Sequence, residues 1–292
     1  MKLPLAKPRR RVLPRRASLP PAGIVEALEE RVLLSAVAAT NSPLALLPNE
    51  STIASPRFSD LWWLQNTGQT LSSAPTGPLT GVAGDDIGAT KAWDLTTGSN
   101  AAVVAVFDTG IDLTNPEFTN NLWKNPGEIP NNGIDDDHNG FVDDEYGWNF
   151  VDGNNNVQDT SLTNHGTLVS GVIAAQGNNG QGISGVAWNV DLLTVKVGTD
   201  TGVTSQDLIA GINYVIALKQ RGVNIVAINA SYISFALPTL DELNAIKSAG
   251  DVGISYVAAA GNSGLNFDSI LPSGFVPSNM ILVAATDNRD PL

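Results

Sequence analysis

The sequence predicts an α/β protein: a doubly wound, mainly parallel sheet with helices on both faces. Three observations carry this expectation. Val103-Val104-Ala105-Val106-Phe107 is an unbroken apolar run rich in valine, the pattern of a strand buried on both faces of a parallel sheet. Similar runs recur at 191–197, 223–229, 254–259 and 280–285. The segments between several of them have helical periodicity, and strand–helix alternation is the grammar of a doubly wound sheet.

The folded part is expected to begin near Phe58. Residues 61–69 form an aromatic-rich docking segment, and 86–95 a short helix before the first core strand. After that strand comes a long loop, then Asn164-His165-Gly166-Thr167 and a helical run bearing Leu168, Val169, Val172 and Ile173. Gly171, Ala174 and Ala175 are interleaved, so this helix can pack close to the sheet. Gly180 to Gly185 is a turn. Thr204 to Gly222 is an amphipathic helix with Leu208, Ile212, Val215 and Ile216 on one face, a Thr204/Asp207 cap and a glycine stop. Thr239 with Glu242 caps another helix, which Gly250 is expected to end.

Composition narrows the function classes. The 292 residues are 42% hydrophobic and 15% charged, enough for one large domain with a substantial core. Formal net charge is −13. Residues 1–31 hold eight of the 16 Lys and Arg but three of the 29 acids, so the remainder is at −18. The absence of a basic stripe in that remainder argues against nucleic acid as a partner. There is no cysteine, hence no thiol chemistry. No apolar run approaches the ~18 residues of a membrane helix.

The Arg- and Pro-rich start leads into Leu28-Glu29-Glu30-Arg31-Val32-Leu33-Leu34-Ser35. This stretch resembles the LEPR-xLL targeting motif of planctomycete surface and exported proteins, with Glu30 where that pattern has proline. The resemblance implies export to the cell surface or beyond. The expected organisation is a basic targeting segment over 1–40, a linker over 41–57 and a catalytic-type domain over 58–292.

Three residues at strand ends or helix starts could share one task. Asp108 follows the first core strand, His165 opens a helix, and Asn262 follows a further strand. Ligands and chemistry gather at the carboxyl ends of strands in open α/β sheets. An Asp that orients a His, a His that takes a proton and an amide that receives an oxyanion are parts of acyl-transfer catalysis. Taken singly, Asp108 reads more readily as a helix cap, His165 as structural and Asn262 as a turn residue. A nucleotide-binding reading is weak, because no Gly-rich phosphate loop follows the first strand.

Together the motifs around these residues resemble the subtilisin-like serine proteases. Val104 to Asp112 is similar to that family's Asp motif. Asn164 to Gly171 is similar to its His motif, with Leu168 and Ser170 where His and Ala are usual. Gly185-Val186-Ala187 and Ala259-Ala260-Gly261-Asn262 match further family segments, as do 64–69 and 92–94. The resemblance implies a serine endopeptidase acting on polypeptide substrates, with Asp108 and His165 in the catalytic triad and Asn262 in the oxyanion hole. It implies a substrate groove at Asn229, Ser231, Tyr232, Ala260 and Gly261, with Ile233 replacing the family's Gly. The family's Gly-Thr-Ser nucleophile run does not occur in the 292 residues. The sheet is accordingly expected to be incomplete at its C-terminal side and the chain inactive by itself. The competing reading is a non-catalytic, calcium-stabilised interaction module.

The loop between the Asp and His motifs carries Asp135-Asp136-Asp137-His138-Asn139-Gly140-Phe141-Val142-Asp143. Oxygen donors at alternate positions followed by a glycine form the front of an EF-hand-type loop. Asp135, Asp137, Asn139, the Phe141 carbonyl and Asp143 fall at ligand positions 1, 3, 5, 7 and 9. Position 12 is Tyr146, with Asp144 and Glu145 as substitutes for the closing carboxylate. Structural calcium (Ca²⁺) is expected here, with His138 a bystander because calcium prefers oxygen.

Overall fold

Six parallel strands stand in the spatial order β10-β9-β8-β3-β5-β4. The computed structural model describes residues 58–71, 78–232, 238–261 and 276–289, all inside the compact unit Ala45–Leu292. The targeting segment and linker expected over 1–57 lie outside the described residues, as does Ile233. In chain order the strands are β1 (Thr70–Leu71), β2 (Leu79–Thr80), β3 (Gly98–Asp108), β4 (Gly147–Asn149), β5 (Asn189–Lys196), β6 (Gly198–Thr199), β7 (Gly202–Val203), β8 (Ile225–Ala230), β9 (Ser255–Ala259) and β10 (Met280–Val283). The helices are α1 (Ala89–Trp93), α2 (His165–Ala174), α3 (Ser205–Gln220) and α4 (Leu240–Asp251). β1–β2 and β6–β7 are two-residue hairpin ladders outside the main sheet.

The alternation along β3 explains the double winding. Val103, Ala105 and Phe107 face one side and join Leu193 and Val195 of β5, Ile225 and Ile228 of β8, and the inner faces of α3 and α4. Val106 faces the other side with Val104 beside it, among Leu192, Phe118, Ile111 and Ala174 of α2. Side chains two apart share a face of a strand, so one valine-rich run serves both cores. Burying a side chain such as Phe107 or Ile228 contributes about 1.5–3 kcal/mol. A third, smaller cluster gathers Leu61, Leu64, Trp93 and Trp188, giving the aromatic entry segment its anchor.

Helix ends follow the sequence signals closely. The Thr204 side chain accepts from the Asp207 backbone N–H, and Gly222 takes a positive φ of 105° just past α3. Thr239 and Glu242 form a reciprocal capping box at the start of α4. The stop of α4 differs from expectation: Gly250 stays helical, packed beneath Asn279, and Gly253 (φ 82°) makes the left-handed break.

Helix α2 turns its small residues inward. Gly166, Thr167, Ser170, Gly171 and Ala174 are buried, whereas Leu168 and Val172 are 64% and 43% exposed. The close approach of helix to sheet follows from that choice.

Strand order reverses beside β3. The chain leaves β3 for the β4 and β5 side and later returns to β8 on the other. The carboxyl ends of β3 and β8 therefore flank a topological switch point, where an open α/β sheet leaves a crevice. Phe107 pairs with Ala230 there, one residue before Asp108.

Candidate active site

Asp108 ends β3 in that crevice and is 3% exposed. Its Oδ1 accepts from the Thr109 N–H and from His165 Nδ1, each at 2.8 Å. Its Oδ2 is buried and has no hydrogen-bond partner among the described residues. Burial raises the carboxyl above the ordinary range, and the bonds from His165 and Thr109 offset only part of that rise. His165 opens α2, with its side chain 47% exposed. A carboxylate at Nδ1 fixes the proton on that nitrogen and leaves Nε2 as the acceptor.

The His165 ring reaches Asp108 because the helix start is docked from outside. Asn164 is left-handed (φ 50°, ψ 40°) and its side chain does not cap α2. Three other side chains accept the first N–H groups instead. Ser161 Oγ takes His165 N at 3.3 Å, Thr109 Oγ1 takes Gly166 N at 3.0 Å, and Asp159 Oδ2 takes Thr167 N at 3.0 Å. Gly166 lies against β3 so closely that a Cβ would stand 2.1 Å from the Gly110 carbonyl oxygen. Lys196, at the end of β5 and paired in register with Asp108, donates to the Gln158 carbonyl at 2.9 Å and to Thr160 Oγ1 at 3.2 Å. It pins the loop leading to His165.

The expected groove residues have mixed placements. Asn229 sits near the end of β8 and donates through Nδ2 to Ser231 Oγ at 2.9 Å. Tyr232 turns its hydroxyl onto that of Tyr256, a fully buried residue of β9, so its side chain serves the core. Burial raises the Tyr232 hydroxyl well above the usual phenol range and pushes Tyr256 up to about 12. Ala260 donates its N–H to the Val283 carbonyl, and Gly261 follows with φ 85°. Asn262 lies outside the described residues.

The acidic loop brings carboxylates together from inside and outside the expected ligand run. Asp135 Oδ1 and Oδ2 accept the backbone N–H groups of Asn139 and Gly140. Asp143 accepts those of Asn132 and Gly133. Phe141 N bonds Asn139 Oδ1, and the Phe141 ring packs edge-on against Trp148, Phe150 and Tyr214. Asp135, Asn139 and Asp143 thus also shape the turn through these bonds. The carboxylates that converge are Glu128, Asp137 and Asp144, with ligand oxygens within 4.8 Å of one another.

Of these, Asp137 belongs to the expected ligand run, Asp144 is one of the two substitutes for its closing carboxylate, and Glu128 lies outside the motif. Asn125 and Asn139 aim their NH₂ groups at Asp137 and Asp144. Tyr214 donates to Asp144 Oδ2 at 2.7 Å. Burial pushes Asp144 up to about 6 despite those donors, and the neighbouring Asp137 charge adds to it. An all-oxygen set of crowded carboxylates fits a hard cation such as calcium.

Comparison with known proteins decides what this geometry belongs to. The model of the subtilase family matches residues 99–291. The chain belongs to the subtilase family. It is 32% identical over 201 residues to the thermophilic serine proteinase of Bacillus sp. strain AK1, covering 69% of this chain and 42% of that protein. It is 30% identical over 205 residues to thermitase of Thermoactinomyces vulgaris, covering 70% of this chain and 61% of that protein. The crystal structure of a serine protease of Aeromonas sobria superposes with a TM-score of 0.50 at 25% identity, over 77% of this chain and 36% of that one. The chain therefore spans less than two thirds of the length of these relatives. In this subtilase, among the described residues, no helix is long and apolar enough to cross a membrane.

Proposed function

We propose that this subtilase chain supplies the general base and its orienting carboxylate to a serine endopeptidase site acting on polypeptides. The observation that carries the reading is the 2.8 Å contact between His165 Nδ1 and Asp108 Oδ1 at the switch point of the sheet. In this reading Asp108 holds the imidazole in one tautomer and stabilises its protonated form. His165 Nε2 takes the proton from the attacking hydroxyl and returns it to the leaving amine. Asn262 donates its amide to the developing oxyanion, a contact worth about 2.7–4 kcal/mol in the transition state. The backbone at Asn229, Ser231 and Tyr232, and at Ala260 and Gly261, lines the substrate as an added strand would.

Calcium belongs to the same proposal. Glu128, Asp137 and Asp144 would hold it, and it would neutralise carboxylates that otherwise repel across the loop leading to His165. The basic targeting segment over 1–40 would direct export.

None of the serines in the 292 residues follows a Gly-Thr pair. The chain alone is expected to leave denatured casein intact and to resist fluorophosphonate labelling. A base held by a carboxylate still activates water weakly, so slow hydrolysis of p-nitrophenyl acetate is expected, lost in His165→Ala and reduced in Asp108→Asn. Esterase activity unaffected by His165→Ala would contradict the assignment.

A further inference from the structure

Asp159 is a buried carboxylate that the chemistry above does not use. It is 6% exposed and lies six residues before His165. Both of its oxygens are crowded with donors. Oδ1 accepts from Thr109 Oγ1 at 3.1 Å, Ser161 N at 3.1 Å and Ser161 Oγ at 2.7 Å. Oδ2 accepts from Thr167 N at 3.0 Å and Thr167 Oγ1 at 2.9 Å. Those donors come from three places: the residue after Asp108, the loop before His165 and the first turn of α2. Each of the three hydroxyls passes the connection on. Thr109 Oγ1 accepts from Gly166 N, Ser161 Oγ from His165 N, and Thr167 Oγ1 from Asp112 N at 2.9 Å. Asp159 N itself bonds the Ile111 carbonyl at 3.0 Å.

We propose that Asp159 is the positioning residue of the Asp108–His165 pair, a single carboxylate that ties the end of β3 to the start of α2 and so fixes the imidazole against Asp108. The proposal rests on the reading of His165 as general base. The structure explains why a charged, twofold acceptor stands here. Each oxygen receives one backbone N–H, from Ser161 and from Thr167, and a backbone donor cannot reverse its polarity. An amide at 159 satisfies one of them and opposes the other with its own NH₂. A carboxylate satisfies both, and also lets Thr109 and Ser161 turn their lone pairs toward the helix N–H groups. Burial works against the charge, yet the bonds from Ser161 and Thr167 outweigh it and hold the carboxyl below the ordinary range. The nearby Lys196 ammonium spends its bonds on Gln158 and Thr160, so no cation substitutes for these donors.

The test uses the 292-residue chain labelled with ¹⁵N-histidine. Only two histidines are present, and His138→Gln identifies the His165 signals. The wild-type chain is expected to hold His165 as the Nδ1–H tautomer. In Asp159→Asn that fraction is expected to fall roughly twofold or more, as the ring is released toward the Nε2–H form. Thr109→Val keeps the side-chain shape and removes the relay to Gly166 N; the same change in smaller degree is expected. A lowered unfolding temperature with an unchanged tautomer in both folded variants would overturn the proposal, because a merely structural residue would behave that way. If Asp159→Asn does not fold, Thr109→Val decides alone: an unchanged tautomer overturns the proposal and a shifted one supports it. A wild-type chain lacking the Nδ1–H form would overturn the Asp108–His165 pairing and the role of Asp159 with it. A wild-type form that survives in the variants would overturn only the latter.

Discussion

Asp144 makes the metal-free chain less stable as the pH rises. Its side chain is fully buried between α3 and the acidic loop, with Tyr214, Asn125 and Asn139 as donors. Burial pushes the carboxyl up to about 6 in the folded chain, against 3.8 as the ordinary value. Between those two values the folded state holds a proton that the unfolded state has released. Stability is therefore highest below about pH 4 for this group, and falls as pH rises toward and through 6. About two pH units at 1.36 kcal/mol each gives about 3 kcal/mol, and in a folded unit of this size about 6–12 °C of unfolding temperature. Asp144→Asn removes the ionisation.

The assay is thermal unfolding by circular dichroism in chelator at pH 4.5 and 7.5, for the wild type and the variant. Part of the effect is already present at pH 4.5, so whatever the variant loses in hydrogen bonding, its stability relative to wild type is expected to improve by about 2 kcal/mol between the two pH values. Calcium is expected to raise the wild-type unfolding temperature at pH 7.5, to do little at pH 4.5, and to do little for the variant at either pH. A variant-minus-wild-type difference that ignores pH, together with an undiminished calcium response in the variant, would refute the reasoning.

Two further outcomes follow from backbone geometry. Gly147 opens β4 at φ 120°, and a Cβ there would stand 1.9 Å from the Thr194 carbonyl oxygen; Gly147→Ala is expected to cost about 3 kcal/mol or more in urea unfolding. Thr239→Ala removes one half of the capping box on α4 and is expected to cost about 1 kcal/mol in the same measurement.

The core of the fold was legible because it is written in runs. β3, β5, β8, β9 and β10 are apolar stretches flanked by turn residues, and α3 and α4 carry their caps at the expected spacing. β4 was not legible: three residues beginning with glycine give no periodicity, and the strand exists because Thr194 N of β5 donates to the Tyr146 carbonyl and Phe150 N donates to the Lys196 carbonyl of β5. Asp108 and His165 could be found because a polar residue at the end of a buried run stands out. Asp159 could not, since it sits in a loop dense with Asn, Asp and Thr where any carboxylate reads as solvated. The acidic loop was legible only in part, for a related reason. Its spacing matches a ligand pattern, and Asp135 and Asp143 also accept backbone N–H groups there, while Glu128 joins Asp137 and Asp144 from outside the motif.

The organisation of the chain around one crevice comes down to the state of one ring. The most direct measurement is the ¹⁵N spectrum of His165 at neutral pH in the wild type and in Asp108→Asn. The account predicts an Nδ1–H imidazole with a strongly hydrogen-bonded proton in the wild type, and loss of that proton signal in the variant. Identical spectra, with the proton on Nε2 in both, would contradict it.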